Sequence, residues 1–121
     1  MGPSQQAYFR SKLEDWRDDI IRQTRETIEG LTTENAQHAD IADRATSETD
    51  RALELRARDR QRKLVAKIDA ALKRIDDGSY GYCEETGDPI SLRRLEARPI
   101  ATLSIEAQER HERREKVYRE D

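Results

Sequence analysis

The sequence contains little of the material from which a thick globular core is built. Of its 121 residues only 34% are apolar and 40% are charged, with a single phenylalanine, a single tryptophan and three prolines. Such a composition suits either a disordered chain or long helices that bury a narrow apolar stripe. Because the apolar residues fall in helical register and the charges are of both signs, we expect long helices.

Other absences exclude whole classes of protein. A single cysteine rules out an internal disulfide, and no apolar run reaches the length of about 18 residues that a membrane span needs. The first residues lack the apolar segment of a signal peptide, so we expect a cytoplasmic protein. A formal net charge of −3 argues against general nucleic-acid binding. With one cysteine, two distant histidines (His38 and His111) and no glycine-rich phosphate loop, we expect no enzyme.

Two stretches show the periodicity of amphipathic helices, one from Ser4 to about Leu31 and one from about Glu48 to Ile75. Their apolar positions are Phe9, Leu13, Trp16, Ile20, Thr24, Ile28 and Leu31, and then Leu53, Ala57, Leu64, Ile68, Leu72 and Ile75. Turn-forming residues separate the two, so we predict an antiparallel coiled-coil hairpin over residues 1–77 with its tip at about 32–47. Self-association of each helix into a parallel coiled coil is the alternative.

The composition of the sequence changes after the second helix. Gly78 is placed to end that helix in a left-handed conformation. Residues 78–103 are turn-rich and predict a small globular module with a short helix near Leu92 to Ala97; its expected apolar core is Tyr80, Tyr82, Ile90, Leu92, Leu95, Ile100, Leu103 and Ile105. A C-terminal helix over residues 104–121 should follow, capped by Ser104. It should either rest on the protein through Ala107, Val117 and Tyr118 or be mobile.

Charge is unevenly distributed along the predicted hairpin. Between Glu26 and Asp50 there are seven acids and one base, and between Arg51 and Arg74 nine bases and three acids. An acidic tip beside a basic arm suits a partner of complementary charge. Simple solvation of two long helices is the alternative explanation.

Three stretches, in order and at matching spacing, resemble the DksA/TraR family. They are Asp40-Ile-Ala-Asp43-Arg-Ala45, the basic stretch from Leu53 to Ile68, and Tyr80-Gly-Tyr-Cys83 followed by residues 93–99. The resemblance implies a mainly α fold, in which a long antiparallel two-helix coiled-coil hairpin carries a small module similar to a zinc finger and a C-terminal helix. It also implies a monomeric transcription regulator without catalytic activity that binds bacterial RNA polymerase. The hairpin tip would enter the polymerase secondary channel, repressing promoters of the ribosomal-RNA type and activating others.

The resemblance also assigns roles to individual residues. The tip acting near the polymerase active site would consist of Asp40, Asp43 and Ala45. The polymerase-contacting arm would consist of Arg56, Arg60, Lys63 and Lys67. The alarmone ppGpp would bind near Lys67 and Arg98, although Gln108 replaces a lysine found in some members. The simpler alternatives are tip acids that cap a helix and a basic face that is merely solvated.

The sequence departs from the family pattern at the four zinc-ligand positions. These read Cys83, Thr86, Ser104 and Ala107, which cannot supply the closed tetrahedron of thiolate or imidazole ligands that structural zinc needs. We therefore predict no bound zinc or other cofactor. Cys83 is then a relic thiol in preference to a redox sensor, since Glu84 and Glu85 follow it and no second thiol exists.

Two other classes of function stay open. A structural coiled-coil adaptor would not bind polymerase and would tolerate Asp43→Asn with full function. A DNA-binding ribbon would use the zinc-finger-like module, but the acidic balance and missing ligands count against it.

Overall fold

The computed structural model describes residues 1–37 and 41–120, with the side chains of residues 1–30 and 48–117. Within these ranges four helices follow in order: α1 Pro3–Gln37, α2 Ile41–Asp77, α3 Leu92–Ala97 and α4 Ile105–Glu120. The only pairing of extended chain in these ranges is an antiparallel bridge between Tyr82 and Pro89. The predicted mainly helical class is therefore confirmed. None of the helices in the described ranges has the length and apolarity that crossing a membrane requires.

Both long helices contain more residues than the sequence predicted. α1 continues to Gln37 instead of ending near Leu31, and α2 begins at Ile41 instead of near Glu48. The predicted irregular segment at 32–47 was therefore too long, and of its residues 38–40 lie outside the described part. Gly30 lies inside α1, where glycine costs only about 1 kcal/mol relative to alanine. Such a cost lowers the stability of a helix without ending it.

The chain divides into two compact units, of which one is Glu14–Asp69. Within it α1 and α2 pair in antiparallel fashion, since Arg17 contacts Asp69 at 2.6 Å and the Thr24 hydroxyl donates to the side chain of Gln61 at 2.6 Å. Along the pair, residue numbers therefore decrease on α2 in the direction in which they increase on α1. This pairing confirms the intramolecular hairpin.

The apolar seam of this unit is shorter than the predicted stripe. Ile20 and Ile68 are buried, whereas Ile28 is 37% exposed and Leu53 is 56% exposed, so their assignment to the seam was wrong. On α2 the successive apolar positions Ala57 and Leu64 of this stripe are seven residues apart. That step leaves little apolar surface for partners on α1 to cover.

The other unit consists of Met1–Leu13 and Ala70–Asp121. Tyr80 and Leu95 are fully buried at its centre, and the ring of Phe9 lies 5.8 Å from that of Tyr80. The Tyr80 hydroxyl donates to the backbone carbonyl of Pro99 at 2.8 Å, so its buried polar atom is satisfied. Burial raises the pKa of Tyr80 to about 12, which keeps the hydroxyl protonated as a donor.

The helix ends in this unit follow the sequence signals closely. Gly78 adopts a φ of 85° after α2, and the amide of Ser79 donates to the carbonyl of Arg74. The Ser91 hydroxyl accepts from the amide of Arg94 at the start of α3. The Ser104 hydroxyl accepts from the amide of Ala107 at the start of α4, so the predicted cap is confirmed.

The predicted core of the module was wrong at several positions. Tyr82, Leu92, Ile105 and Val117 are between 41% and 58% exposed, and the side chain of Tyr118 lies outside the described residues. Near the bridge the chain is extended, so neighbouring side chains alternate between faces. Cys83 on one side of Tyr82 is buried, which leaves Tyr82 facing outward. Cys83 and Ala101 are buried although the sequence did not suggest it, whereas the predicted burial of Ala107 is confirmed.

A cluster of polar contacts holds α3 against the start of α1. The Glu96 carboxylate accepts from the Tyr8 hydroxyl at 2.7 and 2.8 Å and from the Lys12 ammonium at 2.7 Å. Hydrogen bonds from Lys12 and then Tyr8 lower the pKa of Glu96. These residues are 84 and 88 positions apart, and no pattern in the sequence pointed to them.

Candidate functional site

The four basic residues predicted to form the contacting arm lie along one face of α2. Arg56, Arg60, Lys63 and Lys67 are all exposed. Lys63 contacts Asp59 at 3.2 Å, and its hydrogen bond, followed by that of Arg62, lowers the pKa of Asp59. The other three make no ion pair with any side chain in the described ranges. The face therefore presents available cationic groups at steps of four, three and four residues, which is the spacing of one helical face.

The three tip residues fall in or beside the least described part of the chain. Asp40 lies outside the described residues. Asp43 and Ala45 belong to the first turns of α2, which begins at Ile41, and their side chains lie outside the described part. The backbone at both positions is helical.

The residues assigned to ppGpp belong to different units. Lys67 is exposed in the unit Glu14–Asp69. Arg98 is exposed at the C-terminal end of α3 in the other unit, where its amide donates to the carbonyl of Arg94 at 2.7 Å. Gln108, which replaces a lysine of some members, donates to the Glu112 carboxylate at 3.2 Å. Lys67 and Arg98 each present a cationic group, which suits a phosphate ligand.

The Cys83 side chain is buried in a turn closed by backbone hydrogen bonds. The amide of Cys83 donates to the carbonyl of Asp88, and the amide of Gly87 donates to the carbonyl of Cys83, both at 2.8 Å. Burial raises the pKa of the Cys83 thiol. Hydrogen bonds from the Thr86 hydroxyl and from the amides of Ser104, Thr86 and Glu85 outweigh burial and lower the pKa to about 6. The hydrogen bonds of the turn therefore favour the thiolate form of Cys83, which the sequence did not suggest.

The four positions of the family's zinc site do not fit a zinc ion. The Thr86 hydroxyl donates to Cys83, and the Ser104 hydroxyl caps α4. Ala107 is fully buried and has no donor atom in its side chain. Across the described ranges, no three histidine, cysteine or acidic side chains come together as a metal site. Structural zinc takes four nitrogen or sulfur ligands, and this site offers one sulfur.

This combination defines a class of helical-hairpin proteins that carry a degenerate zinc-finger module. Two family models match the chain. The N-terminal domain of DnaK suppressor protein DksA matches residues 5–75, and the prokaryotic dksA/traR C4-type zinc finger matches residues 78–113. The chain belongs to the DksA/TraR family, and the resemblance drawn from the tip, arm and module motifs is confirmed.

Curated relatives extend the match over nearly the whole chain. This chain is 66% identical over 121 residues to the RNA polymerase-binding transcription factor DksA of Caulobacter vibrioides, and the match covers 100% of this chain and 85% of that protein. It is 45% identical over 116 residues to the protein of the same name from Escherichia coli, covering 96% of this chain and 77% of that protein. Both relatives are thus named as transcription factors.

Solved structures support the same fold. The structure of transcription factor DksA2 from Pseudomonas aeruginosa matches with a TM-score of 0.87 and 44% identity, over 94% of this chain and 88% of that one. A transcriptional regulator from Chlamydia trachomatis matches with a TM-score of 0.56 at 23% identity, which supports the fold alone. The coiled-coil hairpin with a small module and a C-terminal helix is therefore the fold of the chain.

Proposed function

We propose that this protein is a cytoplasmic transcription factor that binds bacterial RNA polymerase as a monomer and acts by contact, without catalysis. The observation that carries this proposal is the exposed basic face of α2, defined above, on a hairpin whose relatives are named for polymerase binding. Rows of cationic side chains steer a protein toward an acidic partner and fix its orientation there.

The length of the hairpin allows its tip to reach a site deep inside a partner. Residues 41–69 of α2 are helical, which corresponds to a rise of about 43 Å at about 1.5 Å per residue. A two-helix rod of that length fits a deep pore better than a flat surface. We therefore assign the hairpin to the secondary channel of polymerase, with the acids of the tip delivered toward the active site.

The tip acts through Asp40, Asp43 and Ala45. Short carboxylates lose little side-chain freedom when they contact a partner, and alanine permits close approach. Their contacts with polymerase would destabilise promoter complexes. Promoters of the ribosomal-RNA type would be repressed and others activated.

The alarmone ppGpp would act as a co-regulator at the polymerase interface. Lys67 and Arg98 would contact its phosphates through charge-assisted hydrogen bonds. Gln108 supplies no charge, so binding should depend on those two residues more than in members that have a lysine there.

The module works without zinc in this proposal. Tyr80 and Leu95 pack its centre, and the Cys83 turn is closed by hydrogen bonds in place of metal bonds. The base of the hairpin would thereby keep its shape independently of metal supply.

The deciding experiment is transcription in vitro from a ribosomal-RNA promoter, with and without ppGpp. The wild type should inhibit, and Asp43→Asn should bind polymerase with unchanged affinity yet lose most of the inhibition. Asp50→Asn is the matched control, because it makes the same change two turns further along α2 at an exposed position and should inhibit normally.

Thermal unfolding of Asp43→Ala beside the wild type separates contact from helix capping. Asparagine caps a helix about as well as aspartate, whereas a cap lost to alanine would lower stability by about 1 kcal/mol and a lost contact would leave stability unchanged. Full inhibition by Asp43→Asn, or no binding of polymerase by the wild type, would contradict the proposal and favour a structural adaptor.

A further inference from the structure

The hairpin has a second surface that the basic face does not account for. In the unit Glu14–Asp69 a groove of about 700 Å³ runs between α1 and α2. Its apolar lining includes Ile21, Ile28, Leu55 and Val65. Leu55 is 50% exposed and Ile28 is 37% exposed, so this apolar surface is open to solvent.

The groove lies on the opposite side of the helix seam from the basic face. Successive residues of a helix are rotated by about 100°, which places Arg56, Arg60, Lys63 and Lys67 within about 60° of one another. On the same count Leu55, Arg58 and Val65 fall on the other side of the line through Gln61 and Ile68, which faces α1. A partner that contacts only the basic face would leave the groove uncovered.

Unpaired positive charge borders the apolar lining. Arg25 on α1 and Arg58 on α2 line the groove and form no ion pair within the described ranges. Of the carboxylates on the rim, Asp59 is occupied by Arg62 and Lys63, and Glu29 also has a partner. The rim therefore complements a partner that carries apolar and acidic side chains together.

The dimensions of the groove fit a helix. From Leu55 to Val65 the lining spans ten residues, or about 15 Å at about 1.5 Å per residue. Two to three turns of a partner helix would cover this length with apolar side chains at i, i+3 or i+4, and i+7. Flanking carboxylates on that helix would then meet Arg25 and Arg58.

We propose that this groove receives an amphipathic, acidic helix of RNA polymerase, so that the hairpin is held on both faces. The proposal rests on the proposed function, because a rod inserted in a pore has protein on either side of it. It adds a contact on the face away from Lys67. The partner helix is defined by its chemistry, with apolar anchors flanked by carboxylates.

Equilibrium binding to purified RNA polymerase tests the proposal. Leu55→Gln combined with Arg58→Gln should weaken binding about tenfold, since it removes one apolar anchor and one charge contact. Raising the salt concentration should weaken the wild type more than this variant, because one fewer charge pair is left to screen. Circular dichroism should show both proteins equally helical, since Leu55 contributes little to the seam.

Arg22→Gln is the matched control for charge. It removes an arginine from α1 three residues before Arg25, and Arg22 is 66% exposed, pairs with Asp19 and does not line the groove. Its affinity for polymerase should equal that of the wild type. Lys67→Gln serves as the control for the basic face and should weaken binding on its own.

A photoreactive amino acid in place of Leu55 identifies the occupant. Irradiation with polymerase should give a cross-link to a polymerase helix with carboxylates beside its apolar residues. A cross-link between two copies of this chain that persists when polymerase is present would overturn the proposal.

The two proposals fail in different ways. If Lys67→Gln weakens binding while the groove variant binds like the wild type, the groove proposal is wrong and the proposed function stands. If the wild type does not bind polymerase at all, both are wrong.

Discussion

The two units of the chain differ sharply in how much apolar surface they bury. Among the described side chains twelve apolar ones are buried, and only Ile20 and Ile68 of these belong to Glu14–Asp69. The other ten belong to the unit formed by Met1–Leu13 and Ala70–Asp121. The first unit is a polar hairpin with a thin seam, and the second is a packed module. The hairpin thus provides the length of the molecule, and the packed unit provides most of its buried apolar surface.

The difference has a consequence for local stability. Regions with few buried apolar contacts open at lower free energy than well-packed ones. The ion pair between Arg17 and Asp69 adds little to the hairpin, because both side chains are substantially exposed and the pair is screened by salt. We expect the arms to open before the module, and three changes test this comparison.

The largest effect should come from the centre of the module. Leu95→Ala removes a fully buried side chain and should lower the free energy of unfolding by about 3 kcal/mol. Leu53→Ala makes the same change at a position that is 56% exposed and should cost less than about 0.5 kcal/mol. Urea unfolding followed by circular dichroism measures both, and equal losses would contradict the contrast between the units.

At neutral pH an intermediate effect should come from Cys83 in the module, and this effect should depend on pH. The ordinary pKa of a cysteine thiol is 9.0, and the pKa of Cys83 in the folded protein is lowered to about 6. Since the unfolded chain binds the proton more tightly, this thiolate stabilises the fold fully above pH 9, progressively less between pH 9 and 6, and not below about pH 6.

Thermal unfolding of the wild type and Cys83→Ala across this range measures the contribution. The stability difference between the two should grow as the pH rises, and titration of the thiolate absorbance should have its midpoint near pH 6. A chelator should change neither result. A midpoint near 9 would show that the turn does not stabilise the anion.

The smallest effect should come from the exposed ion pair of the hairpin. Arg17→Gln should lower the free energy of unfolding by less than about 1 kcal/mol, and the loss should shrink as salt is added. A double-mutant cycle with Asp69→Asn isolates the pair. A coupling energy well above that value would mean that the hairpin depends on polar contacts more than its exposure suggests.

Local signals in the sequence predicted the existence of the helices and the helix ends next to the module well. The spacing from Phe9 to Ile20 and from Ile68 to Ile75 identified both arms, and Gly78 and Ser104 marked ends that the structure confirms. The sequence was misleading where a local preference is weak. Gly30 indicated a break, yet a single glycine lowers helix stability too little to end α1.

Features that depend on the path of the chain could not be predicted in the same way. The contact of Glu96 with Tyr8 and Lys12 joins residues more than 80 positions apart and leaves no periodic trace. In the module, apolar character alone did not distinguish the buried Ile90 from the exposed Leu92, because turns set which side of the chain faces inward. The groove likewise requires two helices to be paired before its lining residues come together.

The position of the single tryptophan gives the molecule a built-in reporter. Trp16 is half-buried in the hairpin unit, whereas Tyr8, Tyr80 and Tyr82 all belong to the unit formed by Met1–Leu13 and Ala70–Asp121. Indole fluorescence therefore follows solvent entry into the arms, and tyrosine absorbance follows the module. The melting of each unit can be watched separately with natural chromophores and no added label.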